Sequence, residues 1–159
     1  MGSETNIDAT DVCIIRALQR DARTNFASIS KECKVSTDTV SKRFNKLVET
    51  GVARGTTVLL NPKSFGYDCV ASLGIRVEYP HVEDVVDFVQ KIPEVVFCTS
   101  AMGTDNIFAI SVLKNVGRLS QVKEYIQGHP KVKEVTTSIW VGNILLCPEN
   151  FEFDHLDLK

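Results

Sequence analysis

The sequence predicts an α+β protein with a helical N-terminal part and a longer part in which strands alternate with helices. Before residue 51, apolar residues recur at the spacing of amphipathic helices, whereas beyond residue 68 short β-rich runs alternate with helical ones. The 159 residues, 43% of them hydrophobic, suit two short globular domains. Charge divides similarly, because ten Lys and Arg oppose seven Asp and Glu up to Lys63 and eight oppose thirteen beyond it. This asymmetry favours a polyanion-binding part joined to a part with another task.

Two short helices are predicted near the N-terminus. Residues 8–11 open the first with acidic groups, which the helix dipole favours, and the apolar stripe of this helix lies within residues 14–18. Asn25 is a suitable N-cap for a second helix over residues 26–33. A tight turn then leads to Ser36, which is the predicted N-cap of a third helix.

The third helix, predicted over residues 37–50, carries the main functional signal. Val40, Phe44, Leu47 and Val48 recur at the spacing of one apolar face and are predicted to pack in the core. The opposite, polar face carries Asp38, Thr39, Lys42, Asn45, Lys46 and Glu49. Asparagine pairs with adenine, and lysine reaches guanine edges or phosphates, so this face is a candidate DNA-reading surface. An ordinary solvated face of a three-helix bundle has the same periodicity, and periodicity alone leaves both interpretations open.

A β element after this helix would make the motif a winged helix-turn-helix, predicted to span residues 8–60. Gly51 is placed to end the helix at its C′ position, and residues 52–60 predict a short hairpin or an extended connector. On a wing, Arg54 would touch the phosphate backbone. The candidate DNA-contacting residues are Ser36, Thr37, Asp38, Thr39, Ser41, Lys42, Arg43, Asn45, Lys46 and Arg54.

A ferredoxin-like βαββαβ domain is predicted over residues 69–147, after a linker at residues 61–68 and before an acidic tail at residues 148–159. Strands are predicted at residues 69–78, 95–101, 107–113 and 135–141, and helices around residues 82–89 and 119–126. The two helices of such a domain cover one face of its sheet. Because strands 1 and 3 show apolar residues on both faces, we expect the uncovered face to pack against a second copy.

An ordered series of short motifs runs through residues 11–62. It consists of Ile15 to Asn25 (IRALQRDARTN), Ile29-Ser30-Lys31, Val35-Ser36, Val40 to Val52 and Leu60-Asn61-Pro62-Lys63. Together these motifs resemble the DNA-binding half of the Lrp/AsnC family, the leucine-responsive and asparagine-type "feast/famine" transcription regulators. The resemblance implies a cytoplasmic regulator that binds double-stranded DNA and forms dimers, tetramers or octamers through its second domain. It also implies a small-molecule effector.

In this family, the turn between the second and third strands carries a glycine and a nearby aspartate, and effectors bind there between dimers. Gly103 matches the glycine, but Asp105 and Asn106 replace the usual aromatic and aspartate. Free N–H groups of a glycine turn suit a carboxylate and Asp105 suits an ammonium group, so an α-amino acid is the expected effector. A plain hairpin turn is the alternative. The candidate effector-binding residues are Ser100, Ala101, Met102, Gly103, Thr104, Asp105 and Asn106.

Other functional classes find less support in the sequence. Five widely spaced cysteines without a C-x-x-C pair predict buried thiols in a reducing cytoplasm, with a metal or redox site as the alternative. The apolar runs are too short to span a bilayer. Isolated histidines and the absence of phosphate-binding or nucleophile motifs predict a protein that is not an enzyme and needs no cofactor or metal. The alternatives are a siroheme-decarboxylase-like enzyme, against which the acidic second half counts, and a co-regulator that acts only by hetero-oligomerisation.

Overall fold

The computed structural model describes residues 7–142, in which three helices precede a four-stranded sheet with two further helices. The helices are α1 (Ala9–Arg20), α2 (Phe26–Glu32), α3 (Thr37–Glu49), α4 (Val82–Val89) and α5 (Val116–Gln127), and the strands are β1 (Cys69–Val77), β2 (Val95–Ser100), β3 (Ile107–Leu113) and β4 (Val132–Ile139). This order confirms the predicted α+β fold class. The chain divides into two compact units, whose described parts are residues 7–58 and 59–142.

The three helices of the first unit each begin at a side-chain cap. Asp8 accepts hydrogen bonds from the amides of Thr10 and Asp11 at 2.9 and 3.0 Å, and the Asp11 carboxylate accepts one from the Asp8 amide at 3.1 Å. Asn25 and Ser36 cap α2 and α3 in the same way. These side chains satisfy amides that have no partner within the helix. The predicted starts at Asn25 and Ser36 are therefore confirmed.

The first unit has a small core among its described residues. Its cluster of buried apolar side chains consists of Ile14, Ala17, Ile29 and Val40. Leu47 is also buried, and Phe44 packs on Phe26 with ring centroids 5.6 Å apart. The prediction that Val48 belongs to the core is wrong, because its side chain is 42% exposed. At 100° per residue Val48 lies about 80° around the helix from Val40, at the margin of the apolar stripe.

Truncating Ile14 to alanine is expected to lower the free energy of unfolding of the first unit by about 2 to 5 kcal/mol, because so small a core collapses poorly around a cavity. The expected result in a calorimetric scan is a drop of roughly 10 °C or more in one transition. Val48→Ala removes apolar atoms from an exposed site of the same unit and serves as the control, with a change of about 0.5 kcal/mol or less. Equal effects of the two substitutions would contradict the assigned core.

A disulfide joins α1 to the end of α2. Cys13 and Cys33 are bonded, and their Cα atoms are 5.8 Å apart. The expectation of unpaired thiols is therefore wrong for this pair, since spacing along the chain does not show which residues meet when helices pack. Cys69 and Cys98 are free thiols, and burial raises the pKa of both. Cys147 lies outside the described residues.

The segment after α3 is an extended connector. Gly51 adopts the left-handed conformation (φ 75°) that favours glycine at C′, and its amide donates to the carbonyl of Val48 at 3.0 Å, which confirms the predicted helix end. Between residues 51 and 61 of the described chain no strand forms. Of the two predicted possibilities, the chain therefore forms the connector and not the hairpin of a wing. The chain then makes a 3₁₀ turn at Pro62–Phe65, capped by Asn61.

The second unit is an antiparallel sheet with strand order β2-β3-β1-β4, and α4 and α5 cover one of its faces. Alternate residues of β1, from Cys69 to Val77, are buried beneath the helices. This is the ferredoxin-like arrangement that the sequence predicts. The last strand begins at Val132, three residues earlier than predicted. Its suggested continuation at residues 144–147 and the tail at residues 148–159 lie outside the described residues.

The face of the sheet opposite helices α4 and α5 carries an apolar patch. This open-face patch consists of Val70, Phe97, Phe108, Ile110, Val112 and Trp140. The prediction of an apolar second face holds for β3. For β1 it is wrong beyond Val70, because Ser72, Gly74 and Arg76 share that face.

One edge of the sheet is irregular. Strand β2 pairs through Val95 with Ser111 and through Phe97 with Ile110, so Val96 is an extra residue in the ladder. Such a bulge bends an edge strand and interrupts its pairing. The Val96 side chain is exposed at this point.

Candidate nucleic-acid interface and effector loop

The solvent-facing side of α3 presents cationic and amide groups. Lys42 Nζ lies 2.9 Å from Asp38 Oδ2, and both side chains are about three-quarters exposed. The hydrogen bond to Asp38 raises the pKa of Lys42. Asn45 and Lys46 are exposed, and within residues 7–142 their side chains have no hydrogen bond or ion pair. An incoming polyanion therefore meets two lysines and a free amide on one helix face.

The residues at the start of α3 are occupied in building the helix terminus. Ser36 Oγ accepts a hydrogen bond from the Thr39 amide at 3.0 Å and lies 2.8 Å from the Thr39 hydroxyl. The Thr37 hydroxyl donates to Ser30 Oγ at 3.4 Å. Ser36 and Thr37 are exposed, whereas Thr39 and Ser41 are half-buried. Arg54 is exposed on the connector.

Arg43 is held by carboxylates of the same chain. Its guanidinium contacts Asp8 and lies 3.1 Å from Asp11, whose side chain is only 8% exposed. The hydrogen bond to Asp8 is the main cause that raises the pKa of Arg43. Desolvation by itself raises the pKa of Asp8, but hydrogen bonds from the Asp11 amide and from Arg43 outweigh it and lower that pKa. Arg43 thus ties α3 to the start of α1, a role that local sequence patterns did not indicate.

The candidate effector loop connects β2 to β3. The Ala101 amide donates to the Asn106 carbonyl at 2.9 Å and closes the loop, and residues 100–104 are exposed. The amides of residues 102–104 donate no hydrogen bond within the described chain. Gly103 has no left-handed φ, and an added Cβ would meet only the Asp105 carbonyl, at 3.8 Å. The fold of the described chain therefore does not require glycine here.

The last two loop residues point back into the domain. Asp105 Oδ2 accepts a hydrogen bond from the Thr136 hydroxyl at 3.0 Å, and the carboxylate lies over Gly74, where an added Cβ would be 2.2 Å from Oδ2. Asp105 Oδ1 is buried without a hydrogen bond among the described residues. The side chain of Asn106 accepts from the Val77 amide at 2.9 Å and donates to the Val77 carbonyl at 2.8 Å. Both side chains anchor the loop to β1 or β4.

Arg76 is a charged neighbour of this loop that the sequence reasoning missed. Its Nε donates to the Thr104 carbonyl at 3.1 Å, and Nη1 lies 2.9 Å from Glu134 Oε2. A third nitrogen, Nη2, lies 3.9 Å from Asp105 Oδ1. A single charged residue in a β-rich run was the signal, because period-two alternation places Arg76 on the open face with Gly74.

Gly74→Ala is expected to displace the Asp105 carboxylate and the Thr136 hydroxyl, since both would lie within 2.5 Å of the new Cβ. We expect the second unit to lose about 1 to 3 kcal/mol of unfolding free energy, as in other overpacked sites. Thermal unfolding measures this loss, and Ser72→Ala, on the same face of β1, is the control. A Gly74→Ala protein with the original melting temperature would show that Asp105 moves without cost.

Comparison with known proteins matches both units. Residues 7–48 match the AsnC-type helix-turn-helix domain, and residues 70–146 match the Lrp/AsnC ligand binding domain. An HTH-type transcriptional regulator of Pyrococcus horikoshii is 33% identical over 137 residues, which are 86% of this chain and 87% of that protein. This chain belongs to the Lrp/AsnC family.

Further relatives of this Lrp/AsnC protein agree. Regulatory protein AsnC of Haemophilus influenzae is 30% identical over 89% of this chain and 95% of its own length. The structure of E. coli AsnC is similar with a TM-score of 0.76 and 26% identity, covering 88% of this chain and 95% of that one. A Neisseria meningitidis transcriptional regulator in complex with L-Met shares the fold, with a TM-score of 0.76, 23% identity, and coverage of 87% and 92%. The protein is an AsnC-type helix-turn-helix transcription regulator with a ligand-binding domain.

No three His, Cys, Asp or Glu side chains within residues 7–142 are grouped so that they could hold a metal ion. None of the helices in that range is both long enough and apolar enough to cross a bilayer.

Proposed function

We propose that this chain is a sequence-specific, cytoplasmic DNA-binding regulator without enzymatic activity, whose assembly or DNA affinity responds to an amino acid. Its DNA-binding domain is residues 8–60, which a linker at 61–68 joins to an effector-binding and oligomerising domain at 69–147. The observation that carries the proposal is the exposed face of α3, where Asn45 and Lys46 have no partner within the described chain and Lys42 has only an exposed one.

The candidate DNA-contacting residues divide into four roles. Lys42, Lys46 and Arg54 attract phosphates and release counterions. Asn45 reads a base edge, since its amide can pair bidentately with adenine. Ser36, Thr37, Asp38, Thr39 and Ser41 would approach DNA from the N-terminal half of the helix, where Ser36, Thr37 and Asp38 are exposed and the Asp38 carboxylate can accept only from a donor on a base edge. Arg43 positions α3 through Asp8 and Asp11 rather than meeting phosphate directly.

Dimerisation through the open-face patch would supply two such helices. The patch combines three aromatic side chains with three aliphatic ones on the sheet face opposite α4 and α5, and large exposed apolar patches mark interaction sites. A self-complementary sheet face favours a two-fold dimer. Two α3 helices related in this way can address two half-sites of an operator.

An α-amino acid effector is supported by the loop at residues 100–106. The amides of residues 102–104 are available to a carboxylate, and Gly103 leaves room for its close approach. Asp105 and Arg76 supply both signs of charge beside the loop. The L-Met complex of the Neisseria meningitidis protein shows an amino acid bound to a relative with the same fold. Gly103→Trp tests this site, because it should abolish an amino-acid response while DNA binding persists.

The test of the proposed function is retention of a pool of genomic fragments, including the upstream region of this gene, with competitor DNA at two salt concentrations. We expect selective retention of a few fragments that weakens as salt increases, because phosphate contacts release counterions. Retention that ignores sequence, or no retention at either salt, would contradict a sequence-specific regulator.

A further inference from the structure

The disulfide between Cys13 and Cys33 crosslinks the DNA-binding unit beside the turn that leads into α3. Cys33 is the C-cap of α2, and its amide donates to the Ile29 carbonyl at 2.9 Å. Lys34 follows in the left-handed conformation (φ 55°), and the Ser36 cap of α3 comes two residues later. The bond therefore holds the turn before α3 against the middle of α1, and this turn sets the direction in which α3 begins.

Among the described residues, the buried cluster of the first unit has four apolar side chains and that of the second unit has seventeen. A small core contributes little stability, so a crosslink has a large relative effect on the first unit. Closing a loop between residues 20 positions apart favours the folded state by about two orders of magnitude in the folding equilibrium. Loss of the bond would therefore raise the population in which α1 separates from α2 and α3.

Both cysteines are half-buried, in contrast to the fully buried side chains of the core beside them. Disulfides of proteins that work in a reducing compartment are usually transient and redox-sensing. A regulator that acts on cytoplasmic DNA meets such a compartment. These observations distinguish Cys13 and Cys33 from Cys69, which is buried and unpaired.

We propose that Cys13 and Cys33 form a reversible thiol–disulfide site that controls DNA binding, with the disulfide form as the form that binds tightly. The proposal rests on the proposed DNA-binding function. A low-molecular-weight thiol of the glutathione class is the reductant. One thiolate attacks a sulfur of the pair and forms a mixed disulfide, and a second thiolate then displaces the protein thiolate. Two electrons and two protons pass to Cys13 and Cys33, which become thiols, and the two small thiols leave as their disulfide.

The reduced chain is expected to bind more weakly because fewer molecules hold α3 in the binding geometry. The apparent dissociation constant rises in proportion to the loss of this competent population. Arg43 still ties α3 to Asp8 and Asp11 after reduction, so binding is weakened rather than abolished. We expect a dissociation constant about tenfold higher and a melting temperature of the first unit lower by roughly 10 to 20 °C.

The experiment uses the full chain equilibrated in glutathione buffers from fully oxidised to fully reduced. Maleimide trapping and mass spectrometry count the thiols, and fluorescence anisotropy measures binding to a duplex from the upstream region of this gene and to a random duplex of equal length. Cys13→Ser/Cys33→Ser should bind like the reduced chain in every buffer. Cys98→Ser, which removes a half-buried free thiol of the second unit, is the matched control and should respond like the unmodified chain.

Three outcomes would overturn the proposal. Equal dissociation constants for oxidised and reduced chain would show that the bond does not control binding. A disulfide that stays closed in a reducing cytoplasmic glutathione buffer would be a permanent crosslink. Failure of both forms to bind either duplex would refute the proposed DNA-binding function, and the thiol count and melting temperature would then show separately whether the bond is reversible.

Discussion

DNA affinity is expected to fall roughly 10- to 100-fold when Lys42 and Lys46 are both replaced by alanine, because two cations disappear from the exposed face of α3. The logarithmic salt dependence should become shallower by about 0.9 for each lost phosphate contact. The fold should change little, since both partners of the Lys42–Asp38 pair are exposed to solvent, where ion pairs contribute little to stability. Fluorescence anisotropy across a salt series measures both quantities.

The control for charge alone is Lys91→Ala/Lys131→Ala, which removes the same net charge from exposed positions of the second unit. This variant should keep the affinity and the salt slope of the unmodified chain. Equal losses of DNA affinity for the two double variants would show that net charge alone causes the effect. An unchanged DNA affinity of Lys42→Ala/Lys46→Ala would show that α3 is not part of the DNA interface.

Asn45→Ala separates base recognition from charge. If Asn45 pairs with a base, its loss should cost about 1 to 3 kcal/mol on the selected operator and little on random DNA, with an unchanged salt slope. Competition binding with the two duplexes measures this ratio. An equal loss of affinity for both duplexes would show that Asn45 contacts the DNA backbone rather than a base.

Ile110→Asp is expected to dissociate the proposed dimer, because it places a carboxylate in the middle of the open-face patch. Burying an unpaired charge in an interface is strongly unfavourable. The particle mass should halve in light scattering, and operator affinity should fall by about two to four orders of magnitude as two linked contacts become single ones. The chain itself should remain folded, because Ile110 is not fully buried within it.

Val116→Asp serves as the matched control for this substitution. Val116 is an exposed apolar residue in the first turn of α5, where an acidic group suits the helix dipole. Mass and affinity should stay unchanged. An Ile110→Asp protein of unaltered mass would show that assembly uses another surface.

Local signals in the sequence were sufficient for much of the fold. Asn25, Ser36 and Gly51 mark helix ends through their own side chain or backbone freedom, so their roles follow from the residues themselves. The β-rich run predicted a strand at residues 69–78, and the structure has β1 at Cys69–Val77. Val48 shows the limit of periodicity, because an apolar residue at the margin of a stripe lacks a partner to cover it.

The candidate site was predicted less well because its details depend on contacts between distant residues. Arg43 meets Asp8 35 positions away, and the amphipathic pattern of α3 does not contain that information. Asp105 faces Gly74 and Thr136 through the pairing of three strands. The expectation that it projects towards a ligand considered only the loop. Cys13 and Cys33 were treated as unpaired for the same reason.

The bulge at Val96 limits how copies of this protein can polymerise. A straight edge strand would let sheets join side by side without end, as in fibrils. The extra residue in β2 breaks the row of backbone donors and acceptors at that edge. The bulge therefore hinders growth by edge addition at β2, and the proposed two-fold association through the open-face patch would close on itself after two copies. A regulator built in this way can be abundant in the cell and still form particles of finite size.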